Sequence, residues 1–370
     1  MPPLNEVQLV STGYHLPGQP IPFAKVEDIL GLLDKASPKI QKLVPRLKTM
    51  IESILKAKCC YFAIDPKTKK QSETNTDMSV KAIKQALDRA NLKPGDLDLI
   101  VLGAPVPDYL IPNTSSMIQE RLGIEKCVEM EIHSNCTAIT KALQVAFDSI
   151  RVGRYKTVAV VYSQNPSAYL NSAYYNQEKV KPENLLLRWF LSDAAGCMIL
   201  KASESIKSGI KILGVYNDSV GSKMPVGMWM KFGAANMITD EAVKSGSHHF
   251  GQDYGLVNEK APEIGTKSLG HMLKELGIKA KDVSRLIVTL PSYKLEDKTK
   301  ELVEKELGIK ADKWFSNVET KGYCGGASLI SCVNDMIQSD QINKGDIIVA
   351  FAVESSKWTN GGFALEYCLN

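Results

Sequence analysis

The chain of 370 residues contains no apolar run of the roughly 18 residues that a membrane-spanning helix needs. Its first residues, Met1 to Asn5, lack the basic segment and the following apolar segment that form a secretory signal. We therefore expect a cytoplasmic protein that does not interact with membranes.

Sequence patterns of metal and nucleotide sites are also missing. Cys59 and Cys60 are adjacent, whereas the cysteines of zinc sites are usually separated by two or more residues. Neither the pattern Gly-x-Gly-x-x-Gly nor the phosphate loop Gly-x-x-x-x-Gly-Lys occurs. We expect no bound metal and no tightly bound cofactor. The eight cysteines form no paired framework, so we expect them to be reduced.

Charge of one sign is not concentrated anywhere along the chain. There are 45 Lys and Arg residues against 41 Asp and Glu residues, and the basic ones are scattered. This pattern argues against a nucleic-acid partner. With 44% hydrophobic residues, the chain can form one large domain or two fused ones.

The second half of the chain repeats the order of elements of the first half. Residues 80–124 have the pattern of a helix, a turn, a buried apolar strand and a second helix, and residues 266–309 follow the same order. Asp96 in the first copy matches Asp282 in the second. Such self-similarity predicts two structurally equivalent halves.

We place these halves at residues 1–205 and 206–370. Each half carries a later apolar strand, at residues 157–161 and 346–350. Continuous apolar strands that alternate with helices are typical of mostly parallel sheets covered on both faces. The sequence therefore predicts an α/β protein.

Cys136 is the strongest candidate for a reactive residue. It follows the strand-like run that ends near Ile132 and precedes an apolar helical segment at residues 141–146. Backbone N–H groups and the positive end of a helix dipole favour the thiolate of a cysteine in this position. The alternative is a cysteine that only fills space in the core.

The repeat locates the counterpart of the Cys136 helix. The segment 322–328 contains three glycines, an alanine and a serine, which permit close packing of helices. A pseudo-twofold axis would bring the N-termini of the two helices together near the middle of the molecule. We expect a concave site where the halves meet.

With these residues in view, the chain resembles the thiolase superfamily and, within it, the β-ketoacyl-acyl-carrier-protein synthase III-like group. The resembling segments occur in the family's order and are residues 10–17, 112–116 with 122–124, 134–138, 190–197 and 358–362. The resemblance implies a thiolase-like five-layered αβαβα fold made of two duplicated halves. It also implies a homodimer, in which we expect strand 157–161 to pair with its twin.

The resemblance assigns roles to several residues. Cys136 would be the nucleophile, and the backbone N–H groups of Cys136 and Ser356 would form the oxyanion hole. The substrate would be an acyl group carried by coenzyme A or by the phosphopantetheine of an acyl carrier protein. The resemblance does not decide whether coenzyme A or the acyl carrier protein supplies the acyl group.

Two positions differ from the family pattern. The family's catalytic histidine falls on Leu290, and its asparagine falls on Tyr323. Leucine cannot donate a hydrogen bond, so an enolate formed by decarboxylation would lose several kcal/mol of stabilisation. We therefore expect decarboxylative condensation to be absent or very slow, while acyl transfer to the cysteine needs only a nucleophile and an oxyanion hole.

The general base is left open by the sequence. His133, His248 and His249 are candidates by residue type, and Tyr323 and Ser292 are candidates by position. Each of them has an alternative reading as a structural or pocket-filling residue.

Two segments, 164–190 and 216–250, are rich in aromatic residues and methionine, and the resemblance places the acyl pocket and its cover there. Core packing is the equal alternative. The residues in question are Tyr169, Tyr174, Tyr175, Trp189, Met224, Met228, Trp229, Met230 and Phe232. The lysine-rich stretch from Ile21 to Leu55 is expected to be helical and to flank the entrance for the acyl donor.

The sequence thus predicts an acyltransferase of the ketoacyl synthase III-like type in specialised fatty-acid or polyketide biosynthesis. It would move an acyl group through Cys136 to a small-molecule or carrier-bound acceptor. Two alternatives remain: a condensing enzyme that forms carbon–carbon bonds, and a silent subunit of an active paralogue.

Overall fold

A computed structural model describes residues 4–231, 233, 239–339 and 341–368. The helices in these ranges are α1 Val26–Leu30, α2 Pro38–Ile54, α3 Asn75–Arg89, α4 Thr114–Leu122, α5 Ala138–Arg151, α6 Ser167–Leu170, α7 Leu187–Phe190, α8 Asp240–Ser245, α9 Tyr254–Glu275, α10 Tyr293–Leu307, α11 Val318–Lys321 and α12 Ala327–Gln338. None of these helices is both long enough and apolar enough to cross a membrane.

The strands in the same ranges are β1 Glu6–His15, β2 Ile21–Pro22, β3 Cys59–Cys60, β4 Leu99–Ala104, β5 Val128–His133, β6 Thr157–Gln164, β7 Ala194–Ser203, β8 Gly209–Ser219, β9 Met228–Trp229, β10 Gly251–Gln252, β11 Val283–Val288, β12 Trp314–Phe315, β13 Ile347–Glu354 and β14 Thr359–Cys368. The strands that the sequence suggested at residues 99–102 and 157–161 are among them. Every residue of β4 and of β6 is buried, as their apolar sequences require.

Ten strands form one hydrogen-bonded order, β12-β11-β13-β14-β8-β1-β7-β6-β4-β5. The outer three strands of each half are parallel, and the inner two are antiparallel. The prediction of mostly parallel sheets is therefore wrong, because β7 and β14 pair antiparallel with β6 and β13, and β1 and β8 pair antiparallel with β7 and β14.

The sheet has the internal symmetry that the repeat predicted. The order β5-β4-β6-β7-β1 in one half matches β12-β11-β13-β14-β8 in the other. The halves join through a short antiparallel contact in which Gln8 and Leu9 pair with Lys211 and Ile210. The proposed boundary between residues 205 and 206 lies in the connection from β7 to β8.

Five layers are present, as predicted. Helices α5 and α12 lie between the two halves of the sheet, in a core that contains residues of both. Helices α3 and α4 cover the outer face of the first half, and α9 and α10 cover the outer face of the second. The central layer therefore brings the start of α5 close to the start of α12.

The strand expected at the dimer edge is not an edge strand. β6 lies between β4 and β7 and pairs with both along its length. The free edge of the first half is β5 instead. A fully buried strand such as β6 needs a neighbour on each side, so its apolar sequence is that of an interior strand.

A separate apolar cluster forms over one end of the sheet. It contains residues of α1, α2, α6 and α7. Arg188 is buried in this cluster and donates to the carbonyls of Leu30, Gly31 and Leu170. The predicted helical stretch at residues 21–55 belongs here, and its last residues, Ile54 and Leu55, line the cavity beside Cys136.

Candidate active site

Cys136 lies in the turn between β5 and α5, where the sequence placed it. Gly103 on β4 permits this geometry. A Cβ atom on Gly103 would lie 2.7 Å from the backbone of Ala138, the first residue of α5. Only a glycine therefore lets the helix begin so close to the strand.

The second helix start meets the nucleophile turn directly. A Cβ atom on Gly326 would lie 2.8 Å from the carbonyl oxygen of Cys136 and 2.7 Å from the ring of Tyr162. The prediction that small residues bring the N-termini of both helices together is confirmed. This contact explains Gly326, whereas Gly322 and Gly325 have positive φ angles and approach Ser192 and Gln164.

A cavity of about 660 Å³ adjoins Cys136. The residues singled out from the sequence that line it are His133, Cys136, Leu290, Ser292, Tyr323 and Ser356. Much of the remaining wall is apolar and includes Leu186, Phe190, Leu191, Phe250, Val257 and Leu295. The size and apolar character of the cavity suit a hydrocarbon chain.

The aromatic and methionine segments divide between cavity and core. Tyr169, Met228, Trp229 and Met230 line the cavity. Tyr175 and Trp189 are buried in the neighbouring apolar cluster, and Tyr174 packs against that cluster. Met224 packs against the core of the second half, and Phe232 lies outside the described residues.

Tyr323 is the direct partner of Cys136. The tyrosine hydroxyl and the cysteine Sγ are 3.3 Å apart and share a hydrogen bond. Burial raises the pKa of the Cys136 thiol to about 11, although the Tyr323 hydrogen bond lowers it in part. Desolvation of the thiol therefore outweighs the helix N-terminus, which by itself favours the thiolate of Cys136.

A carboxylate that the sequence reasoning missed lies beside this pair. Glu354 is the last residue of β13 and lines the cavity, and only 5% of it is exposed. Its Oε2 accepts hydrogen bonds from Ser134 Oγ at 2.8 Å, Thr137 Oγ1 at 2.6 Å and Thr137 N–H at 3.2 Å. Its Oε1 accepts from Ser356 Oγ at 2.5 Å.

Glu354 changes the electrostatics of the nucleophile. It accepts a hydrogen bond from an N–H group at the start of α5, so its negative charge offsets the positive end of the helix dipole there. The Glu354 charge also contributes to the raised pKa of the Cys136 thiol. A sequence signal existed: a charged residue ends an otherwise apolar strand two positions before the expected oxyanion residue.

The two expected oxyanion donors are close to each other in the fold. Cys136 precedes α5, and Ser356 lies in the turn that joins β13 to β14. Within the described residues, neither N–H group donates to the backbone carbonyl of another residue. Both groups are therefore available to a ligand, and their role as an oxyanion hole stays a prediction.

Leu290 and Ser292 follow β11 and line the cavity. Leu290 is buried in the core of the second half, so the wall carries no hydrogen-bond donor at this point. Ser292 caps α10, and its Oγ accepts from the N–H of Leu295 at 3.3 Å. This structural role accounts for the serine.

None of the three candidate histidines hydrogen-bonds Cys136. His248, which the sequence suggested as a candidate base, is absent from the cavity wall. Its Nε2 is 2.9 Å from the carbonyl oxygen of Tyr174 and its ring packs on His249, because the segment before β10 lies against Tyr174 and Tyr175. Burial lowers the pKa of His249 to about 4. His133 does line the cavity, but its Nε2 lies 2.9 Å from the carbonyl of Pro105.

The described part of the chain contains no cluster of three or more His, Cys, Asp or Glu side chains arranged to hold a metal ion. All eight cysteines are free. The polar groups around Cys136 are hydroxyls, a carboxylate and backbone N–H groups. These groups suit chemistry at a thioester carbonyl.

Two family models match the chain. The model for 3-oxoacyl-[acyl-carrier-protein] synthase III matches residues 130–221, and its C-terminal counterpart matches residues 273–365. The first match contains Cys136, and the second contains Leu290, Tyr323 and Glu354.

Named relatives carry the same description. A β-ketoacyl-[acyl-carrier-protein] synthase III of Caldanaerobacter subterraneus is 26% identical over 76% of this chain and 80% of its own length. The synthase III of Rhizorhabdus wittichii is 23% identical over 80% of this chain and 85% of its own.

Solved structures match the whole fold. A tetronic acid condensing enzyme superposes with a TM-score of 0.79 at 21% identity, and covers 97% of this chain and 99% of its own. The synthase III of Aquifex aeolicus gives 0.74 at 22% identity, with coverage of 98% and 100%. OleA of Xanthomonas campestris gives 0.77 at 16% identity, with coverage of 98% and 98%. With the duplicated fold and both family models in place, the chain belongs to the thiolase-like, ketoacyl synthase III-like family.

Proposed function

We propose that the protein is an acyltransferase that carries an acyl group on Cys136. The observation that carries the proposal is the combination of Cys136 and Tyr323, 3.3 Å apart at an apolar cavity, with Leu290 at the family's histidine position. The thiol and the two available N–H groups support thioester exchange. Leu290 and Tyr323 stand at the two positions where the resembled condensing enzymes have histidine and asparagine.

The donor in this proposal is an acyl thioester of coenzyme A or of an acyl carrier protein. The apolar wall would take the acyl chain, and the thioester carbonyl would lie against the N–H groups of Cys136 and Ser356. Attack by the sulfur forms the new thioester and releases the donor thiol. The oxyanion hole stabilises the charge that develops on the carbonyl oxygen.

The thiol must lose its proton during this attack, because burial holds the pKa of Cys136 near 11. The proton that the Cys136 thiol loses ends on the departing thiolate of the donor. Acyl loading therefore consumes no external base. The hydrogen bond to Tyr323 stabilises the sulfur anion as it forms.

Intact-mass measurement tests acyl loading. The wild-type protein is incubated with straight-chain acyl-CoA thioesters from acetyl to lauroyl and with the same acyl groups on a carrier protein. We expect a single acyl adduct that disappears in C136A. The matched control is C127A, because Cys127 is half-exposed and outside the cavity; this variant should keep the adduct.

A condensing enzyme is the first alternative. It predicts release of labelled carbon dioxide from malonyl thioester by the acyl-loaded protein. Loss of one oxyanion donor typically slows such reactions by about a hundredfold to a thousandfold. Decarboxylation at about one turnover per second or faster would therefore replace our proposal with this alternative.

A silent subunit is the second alternative. It predicts no adduct with any donor while the protein remains folded. The retained cysteine, its tyrosine partner and the apolar cavity favour activity over silence.

We further propose a homodimer through β5. This strand is at the end of the sheet order, and Val128 and Met130 on it are 38% and 37% exposed. The adjacent loop exposes Leu110 and Ile111, and Asn113 ties the loop to Glu129 of β5 at 2.6 Å. An unpaired strand edge with apolar side chains is a surface that a second copy can cover.

A further inference from the structure

Two carboxylates line the cavity, and they differ in how their oxygens are used. Asp108 accepts the N–H groups of Asn75 and Thr76 and the hydroxyl of Thr76, and so caps α3. Glu354 lies at the nucleophile turn, between the start of α5 and the turn that contains Ser356. Of these two carboxylates, only Glu354 contributes to the raised pKa of the Cys136 thiol.

The two oxygens of Glu354 are unequally occupied. Oε2 accepts three hydrogen bonds, from Ser134 Oγ and from the N–H and hydroxyl of Thr137. Oε1 accepts one, from Ser356 Oγ. Because each carboxylate oxygen offers about two lone pairs, Oε1 retains the capacity to accept a further proton or donor.

We propose that Glu354 is the general base that deprotonates the acceptor in the second half of the acyl transfer. This inference rests on the proposed acyltransferase function and names the group that the missing histidine leaves open. The acceptor is a hydroxyl or amine compound, or water. Cys136 and Glu354 line the same cavity, so an acceptor that enters it meets both groups.

The step balances in atoms and electrons. The acceptor O–H gives its proton to Oε1 of Glu354, and the acceptor oxygen forms a bond to the thioester carbonyl carbon. The tetrahedral oxyanion then collapses, the C–S bond breaks, and its electron pair returns to the Cys136 sulfur. Glu354 passes the proton to that sulfur, so the thiol and the carboxylate are both restored.

The charges favour this order of events. An oxyanion between the N–H groups of Cys136 and Ser356 would be repelled by a nearby ionised Glu354. When Glu354 accepts the acceptor's proton, its charge disappears as the oxyanion forms. Burial is the largest cause of the raised pKa of the Cys136 thiol, and the Glu354 charge adds to it.

The test separates loading from release. Wild type and E354Q are loaded with octanoyl-N-acetylcysteamine thioester, and the donor is then removed. Loss of the adduct is followed by intact mass in buffer, where water is the acceptor, and in buffer with added 1-butanol as the acceptor. We expect E354Q to load, but to release the acyl group about a hundredfold or more slowly to either acceptor. Hydroxylamine, a strong nucleophile that needs little help from a base, should remove the acyl group from both proteins at similar rates.

The exposed carboxylate Glu301 on α10 provides the matched control, and E301Q should behave as wild type. Equal release of the adduct from E354Q and wild type overturns the inference and leaves the proposed function standing. Failure of wild type to load overturns the proposed function itself.

A second measurement does not depend on the folding of E354Q. The rate of adduct release from wild type should fall as the pH is lowered, because a protonated carboxyl group cannot act as a base. A rate of release that is independent of pH on the acid side excludes a carboxylate base.

Discussion

Three effects compete at Cys136, and their sizes decide its protonation. A helix N-terminus contributes about 0.3–1 kcal/mol to an adjacent negative charge. A rise in the thiol pKa from 9.0 to about 11 corresponds to about 3 kcal/mol, and burial is its largest cause. Glu354 adds to the rise. The residue therefore rests as a thiol, and its reactivity depends on the groups that a bound donor brings into contact with it.

Tyr323 provides the first prediction at the residue scale. In Y323F, the hydrogen bond that lowers the pKa of the Cys136 thiol is lost, so this pKa rises further. We expect the alkylation of Cys136 by iodoacetamide to slow severalfold at a fixed mildly alkaline pH, and its pH profile to shift toward higher pH.

The half-buried Tyr155 is outside the cavity, so Y155F is the control and should leave the profile in place. An unshifted profile in Y323F would show that the tyrosine only fills space.

Asp193 provides a prediction about stability. Its buried carboxyl accepts from the N–H of Ala63 at 2.6 Å and of Ser167 at 2.9 Å. Burial nevertheless raises the pKa of Asp193 from 3.8 to about 7. The folded state therefore binds this proton more tightly than the unfolded state, and the stabilisation is full below about pH 4 and lost as the pH rises through about 7.

Thermal unfolding of wild type and D193N across this range measures the effect. The difference in melting temperature should change in favour of D193N as the pH rises, because the amide carries no charge to bury. A difference that does not depend on pH would contradict the shifted pKa.

At the scale of elements, the site depends on the junctions where strands end and helices begin. Cys136 precedes α5, Tyr323 precedes α12, and Glu354 ends β13. No single element contains two of these residues. Their mutual distances are set by how closely the junctions approach, which is the role of Gly103 and Gly326.

G326A tests this dependence. The added methyl group would meet the Tyr162 ring and the Cys136 carbonyl at less than 3 Å, so α12 must move away from the nucleophile turn. Overpacking of this kind costs about 1–3 kcal/mol. We expect a lower free energy of unfolding in chemical denaturation and slower acyl loading.

Gly95 offers the control, because a Cβ atom there would have no neighbour within 4 Å. G95A should therefore leave both the loading rate and the stability nearly unchanged. Equal effects of the two substitutions would show that the close approach at Gly326 is not what matters.

At the scale of the whole molecule, the ten-stranded order leaves two edges, at β12 and β5. β12 has only two residues, whereas β5 has six and a neighbouring exposed loop. The longer apolar edge is the one that a second copy would cover.

M130K tests the dimer through this edge. A lysine on β5 would place like charges close together across a twofold axis and should shift the sedimentation of the protein from dimer to monomer. V152K, at the exposed end of α5, is the control and should remain a dimer. A wild-type protein that stays monomeric at micromolar concentration would contradict the proposal.

The sequence by itself determined the duplication, the α/β class and the place of Cys136 between a strand and a helix. These features depend on local patterns: apolar strands, amphipathic helices and small residues at fixed positions in each copy. The repeat also indicated that the second helix start would meet the first. Local periodicity is sufficient for such inferences because each half obeys the same packing rules.

The tertiary structure alone decided which strand forms the edge, where His248 lies and which carboxylate faces the nucleophile. Glu354 and Thr137 are far apart in sequence, and their hydrogen bond arises only when the end of β13 packs against the start of α5. The pKa of Cys136 follows from the same packing, because desolvation depends on every element around the thiol. Properties that sum over distant neighbours cannot be read from a local pattern of residues.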